Sequence, residues 1–329
     1  MAGRTARAAI AAAIAAAALA GCGGDSATDQ QPLPEPRTVN AAEAPGNDPD
    51  LDINLDNTVP QPEDPAPSQT RPRRRQRDRP QSLLSPAAKQ SFRELEASLG
   101  GRSGIAVSPL GFDQPVQRAG SLQDAIAWST SKVPVAMAVY DAGLADQHAA
   151  NLSAAIIQSN NEAAMALWQA LGAGELAAEA ATAELRAAGD FTTVIESQVI
   201  AQGYTPFGQT LWSLGDQAAF TAGMPCSDSG LQVLGLMGQA VQPWGLAAVG
   251  LPAEHKGGWG PGSQPGQSGG YLDRQMGVVT VDGKPIAMTI ATLPADGSHD
   301  TGTRNLTAIA QWAVEHLDVS SAPRRARCR

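Results

Sequence analysis

Apolar positions over residues 81–320 recur with two different periods, and the switches between them outline the elements. In "SPAAKQSFRELEASLG", Phe92, Leu95 and Leu99 fall three and four apart. Ser85 stands where a helix cap belongs, Pro86 fits a first helical position and Gly100 ends the run, so the stretch predicts a helix. "GIAVSPLG" and "QPVQRAG" predict two short strands around a turn. An Ala/Leu-rich stretch from about Leu122 to Ala188 predicts a helical block, broken at Gly143, Gly172 and the polar "QSNNE". Residues 189–210 read as irregular, and "TPFGQTLWSLGDQAAFTAG" as one more helix. "RQMGVVTVDGKPIAMTIATLP" predicts a hairpin turning at Asp282-Gly283. "TRNLTAIAQWAVEHL" predicts an amphipathic helix with Leu306, Ile309, Ala310, Ala313 and Leu317 on one side. This order predicts an α+β fold, with an antiparallel sheet covered by the first and last helices and the helical block beside it. Residues 321–329 read as a basic tail.

The start of the chain has neither period. Arg4 and Arg7 precede an apolar run from Ala8 to Ala20, too short to span a bilayer comfortably, and "LAGC" ends at Cys22. Residues 1–22 therefore read as an export signal whose last four residues resemble the bacterial lipobox. That resemblance implies a lipid on Cys22 and a chain held at the outer face of the cell membrane. Residues 23–80 hold eleven of the 24 prolines and ten acidic residues between Asp25 and Asp64, before "RPRRRQRDRP" reverses the sign. With so few large apolar residues this segment is expected to be a disordered tether. Its six arginines either keep it extended or touch anionic lipid or wall polymer.

Composition then narrows the partners. A net charge of −9 argues against a nucleic-acid binder. With 4% aromatic residues, the core must be built mainly from Ala, Leu, Val and Ile. Cys226 and Cys328 either stay free thiols or, in an exported chain, form a bridge that pins the tail. His148, His255, His299 and His316 show no metal-ligand spacing, and neither a metal nor a cofactor is implied.

The candidate chemistry starts at "WSTSKVPVAMAVY". A serine hydroxyl needs a partner to take its proton. Ser129 and Lys132, three apart at a helix start, lie on one face, and partial burial near other cations, Lys256 among them, would lower the lysine's pKa so that it can act as base. Alone, the spacing is common by chance and is better read as a capped helix with a surface lysine. "QSNNEAAMALWQALG" adds Ser159-Asn160-Asn161 at a break between helices, either as an N-cap or as a hydroxyl and amide facing a substrate. "HKGGWGPG" adds Lys256-Gly257-Gly258 before the hairpin, with a cation for a substrate carboxylate and glycines that let a substrate backbone approach.

These three elements, in this order, resemble the Ser-x-x-Lys, Ser-Asp-Asn and Lys-Thr-Gly motifs of the serine β-lactamase and penicillin-binding-protein superfamily, in its class A-like branch. The likeness runs over roughly residues 85–318, most of all to alanine-rich β-lactamase-like lipoproteins of actinobacteria. It implies a β-lactamase/transpeptidase-like fold with a reduced helical subdomain, since the stretch between Lys132 and Ser159 is short. By role, it implies Ser129 as acylated nucleophile, Lys132 as its base and Ser159 as proton shuttle. Asn161 would hold the substrate amide and Lys256 its carboxylate, with the N–H groups of Ser129 and Trp259, beside Gly258, forming the oxyanion hole. The acyl donor would be a peptidoglycan stem peptide or a β-lactam, and the protein a monomer.

Three departures limit the likeness. Asn160 stands for the usual aspartate, and Gly257 for a Thr or Ser whose hydroxyl would bind the carboxylate. The family's deacylating glutamate has only Glu196, in "TTVIESQVIAQG", as a candidate, and Ile200 replaces the asparagine four residues on. Three expectations remain open: an acylating serine enzyme slow to deacylate, a non-catalytic module for wall peptide or protein, and a hydrolytic β-lactamase using Glu196.

Overall fold

A computed structural model describes residues 82–267 and 269–329. The export signal with Cys22 and the tether lie outside the described residues. The first helix, α1 (Pro86–Leu99), starts as its sequence predicts, with Ser85 Oγ accepting from the amide of Ala88 at 3.0 Å. Then come β1 (Arg102–Pro109), β2 (Gln117–Gly120) and β3 (Asp124–Ile126). The helical block is α2 (Lys132–Asp141), α3 (Ala145–Ile157), α4 (Asn161–Ala170) and α5 (Gly174–Ala187). After the irregular stretch come β4 (Leu211–Ser213), α6 (Leu214–Gly223) and α7 (Asp228–Met237). The chain closes with β5 (Ala253–Pro261), β6 (Tyr271–Val281), β7 (Lys284–Leu293) and α8 (His299–His316).

Five strands form one antiparallel sheet in the order β2-β1-β7-β6-β5. Alternation along the strands sorts the side chains. Ile105 and Val107 of β1, with Ile286, Met288 and Ile290 of β7, join Phe92, Leu306, Ile309 and Trp312 from α1 and α8 in one core. Ala106 and Ala291 face the other way, toward Leu122, Trp128 and Leu214. With both faces covered, β1 is buried at every position but its first. The hairpin turns at Asp282 and Gly283, both at positive φ (48° and 70°), as a two-residue turn of this kind requires.

Beside the sheet, α2 is apolar on all sides and buried from Lys132 through Val139. A helix of that kind survives only as the centre of a bundle. Each of its fully buried Val and Met side chains contributes roughly 1.5–3 kcal/mol of hydrophobic stabilisation. Pro134 costs little here, because it stands in the first turn, where its missing N–H has no partner to lose. α2 thus anchors the segment before it to the interior.

Two features depart from the expected order. Residues 122–126 open not as helix but as β3, which pairs with β4 in a two-stranded ribbon with Ala125 opposite Trp212. The helix expected from "TPFGQTLWSLGDQAAFTAG" occupies only its second half, as α6. Of the two readings of the cysteines, the structure has the bridge: Cys226 and Cys328 form a disulfide that, with a parallel bridge between Gly111 and Arg327, ties down the basic tail.

Candidate active site

Residues Trp128–Ser131 form a single 3-10 turn that leads directly into α2. Thr130 Oγ1 donates to Ala127 O at 2.5 Å and Ser131 Oγ to Trp128 O at 2.7 Å, so these hydroxyls brace the turn itself. Ser129, between Trp128 and this brace, lines a cavity of about 630 Å³. Trp128 sits at φ 46°, a conformation that non-glycine residues adopt only at a cost of about 1–3 kcal/mol. Strain of this kind next to a candidate nucleophile is characteristic of sites where the surrounding fold dictates the geometry.

Behind the turn runs β5, the edge strand of the large sheet. A Cβ at Gly258 would lie 2.8 Å from Ala127 O and 2.9 Å from Ser129 N, so only glycine lets the turn seat against the strand. Gly257 has a different reason. A Cβ there would meet the indole of Trp244 at 2.9 Å.

The second motif divides its labour. Asn160 Oδ1 accepts from the amide of Ala163 at 2.7 Å and caps α4. The N-cap reading thus holds for Asn160, and an asparagine performs the duty that an aspartate would. Ser159 and Asn161, on either side, face a lysine instead. Lys132 Nζ donates to Ser159 O at 2.6 Å and Asn161 Oδ1 at 2.7 Å, and lies 3.4 Å from Ser159 Oγ. Ser159 itself is held at φ 59°.

Lys256, on β5, approaches the same serine from the other side. Its Nζ donates to Ser159 Oγ at 2.8 Å and to Gly257 O at 2.9 Å. Two amines therefore converge on one hydroxyl. Burial lowers the pKa of Lys132 to about 7, and burial together with the charge of Lys132 pushes Lys256 well below its ordinary value. Near neutral pH a good fraction of Lys132 is thus an unprotonated amine able to accept a proton.

The structure brings Ser129, Asn161 and Trp259 to the cavity wall, and Lys132, Ser159 and Lys256 into direct contact. It does not bring Glu196 to them. That carboxylate turns back on its own loop, accepting from the amide of Gln198 at 2.8 Å, and it is not among the residues lining the cavity.

Sequence reasoning missed the support beneath the turn. Arg274, fully buried on β6, donates through Nη1 to Ala125 O, Ile126 O and Trp212 O, and through Nη2 to Gln217 Oε1. Gln217 Nε2 then donates to Thr130 Oγ1 at 2.9 Å, next to Ser129. An arginine mid-strand gave no signal, because its partners are carbonyls distant in sequence. Behind Trp259, His299 stacks on the indole with centroids 5.5 Å apart and meets Asp273, the residue paired with Trp259.

The five-stranded antiparallel sheet with flanking helices is the fold of the class A β-lactamases. Solved structures bear out that fold. An ancestral class A β-lactamase superposes with a TM-score of 0.51 at 23% identity, over 69% of this chain and 99% of its own. A β-lactamase from Chitinophaga pinensis gives a TM-score of 0.56 at 15% identity, and one from Xanthomonas campestris 0.53 at 19%. Each match spans 70% of this chain and 98% of the other. No protein-family model matches the chain, and no curated protein does either.

Proposed function

We propose that the protein is a serine acyl-transfer enzyme that forms an acyl-enzyme on Ser129 and releases it slowly. The observation that carries this reading is the convergence of Lys132 and Lys256 on Ser159 Oγ, beside a cavity lined by Ser129 and Asn161. Unprotonated Lys132 takes the Ser129 proton as Oγ attacks the donor carbonyl. The oxyanion that develops faces the N–H groups of Ser129 and Trp259. The bond to the leaving group then breaks, and Ser159 passes a proton to the departing atom, drawing on the lysines at its back. Among the described residues, the only carboxylate lining the cavity is the exposed Glu162, so no buried carboxylate stands ready to activate a deacylating water. The reading includes attachment to the outer face of the membrane through Cys22, which the apolar run and "LAGC" support.

Ester turnover tests it. Wild type is expected to release 4-nitrophenol in a burst and then slowly, and Ser129→Ala to abolish the burst. A burst of equal size in Ser129→Ala would rule the reading out. One observation favours a second reading, a non-catalytic peptide-binding module: Gly257 offers no hydroxyl to a substrate carboxylate. In that case Ser129→Ala would bind muropeptide as wild type does, and neither protein would show a burst.

A further inference from the structure

What such a site accepts is decided by the groups that face the far end of the acyl donor, since anions are held by cations and hydroxyls that still have protons to give. On the β5 and β6 side of this cleft, among the described residues, those groups are missing or already committed. Gly257 has no side chain, and the indole of Trp244 fills the space where a Cβ would stand, with Cη2 2.9 Å from that point. Lys256 is fully buried and gives its protons to Ser159 Oγ and Gly257 O. Arg274, opposite Gly258 in the strand register, is fully buried too, and its two terminal nitrogens serve three backbone carbonyls and the Gln217 amide oxygen.

The wall of the cavity points the same way. Among the described residues, its one charged lining residue is Glu162, a carboxylate, while the other polar lining groups, Gln169, Gln202 and Thr205 among them, are neutral. Trp128, Met165, Val199, Tyr204, Pro206 and Trp259 supply apolar and aromatic surface. Val199 and Tyr204 are 43% and 41% exposed, a large apolar area left open at the mouth. Trp128 and Tyr204 pack against one another with centroids 5.0 Å apart, which fixes one side of that mouth. A volume of about 630 Å³ is ample for a small ester with an apolar chain.

We infer that this site, resting on the proposed role of Ser129 as its nucleophile, selects acyl donors that carry no carboxylate, namely neutral esters or amides with an apolar acyl group. An anionic donor would lose its hydration on entering, meet no unengaged cation among the described lining residues and no hydroxyl at position 257, and face the Glu162 carboxylate instead. The apolar wall rewards an alkyl or aryl acyl chain in the same place.

A matched pair of esters tests this with the full chain: 4-nitrophenyl valerate, and 4-nitrophenyl hydrogen glutarate, which ends in a carboxylate. Acylation of Ser129 is followed by the burst and by intact-protein mass, with a neutral fluorophosphonate as independent probe of the nucleophile. The valerate is expected to acylate about tenfold faster or more, the worth of one missing charge-assisted hydrogen bond. Equal rates, or a faster glutarate, would overturn the inference while fluorophosphonate labelling left the nucleophile standing. Failure of fluorophosphonate and both esters to modify Ser129 would overturn the nucleophile and the inference together. A second variant assigns the cause. Gly257→Ser in a Trp244→Ala background, which makes room for the new Cβ, is expected to reduce the preference for the valerate by about tenfold. A preference unchanged in that folded variant would overturn the role given to these two positions.

Discussion

Replacing Ser159 with alanine removes the one oxygen on which both amines converge. Two consequences can be separated. Lys256, fully buried, keeps Gly257 O as acceptor and loses Ser159 Oγ, which costs about 1 kcal/mol for a neutral amine and up to about 3 if it is charged. For a domain of this size that is a fall of roughly 2–10 °C in Tm, so the variant stays folded at assay temperature. Acylation suffers more, because the leaving atom no longer receives a proton from a positioned hydroxyl. The expected loss is about 10²–10⁴ in the acylation rate constant. The loss must also depend on the leaving group, being large for an amide or alkoxide and small for 4-nitrophenolate, which departs without a proton. Stopped-flow acylation with an aryl ester and an alkyl ester of the same acid, alongside thermal melts, gives both numbers. An alkyl-ester rate within about threefold of wild type in a folded Ser159→Ala protein would refute the relay.

Further outcomes are expected from the same arrangement. Acylation should increase about tenfold per pH unit below about 7 and level off above it, because Lys132 acts only when unprotonated and its pKa is lowered to about 7; a flat profile from pH 5 to 9 would remove it as base. Burial raises Glu184 to about 7, so the folded state holds a proton there that the unfolded chain releases above about 4.5. Its contribution to stability therefore declines as pH rises from about 4.5 to 7, and Tm in Glu184→Gln should decline less over that window than in wild type. Reducing the Cys226–Cys328 bridge opens a loop with a sequence separation of 102 and should cost up to about 4–5 kcal/mol, read as a lower denaturation midpoint in a Cys226→Ser/Cys328→Ser protein. Gln217→Leu breaks the link between Arg274 and Thr130 and should slow acylation while leaving the far-UV spectrum unchanged, which a purely global unfolding would not.

Legibility in the sequence tracked the range of the interactions. α1 with its Ser85 cap, the Asp282-Gly283 hairpin and α8 are set by residues a few positions apart, and each was readable. The β3–β4 ribbon was not, because three-residue strands show no alternation and Ala125 meets Trp212 only through the tertiary fold. Residues 224–250 gave no reading of helix or strand, although they hold α7 and the Trp244 that explains Gly257. In the site, Lys132, Ser159 and Lys256 were readable as motifs, while the lowered pKa values come from burial, which spacing does not encode. Glu196 shows the opposite failure: a glutamate in the right part of the chain whose loop turns it toward Gln198 rather than the cavity.

The most direct test of the proposed chemistry is the covalent state of one serine. Exposed to a fluorophosphonate at pH 8, the intact protein should gain the mass of one phosphonyl group, mapping by peptide sequencing to Ser129 and slowed in a folded Lys132→Met variant. A mass that does not change, or an adduct that maps to another residue, would contradict it.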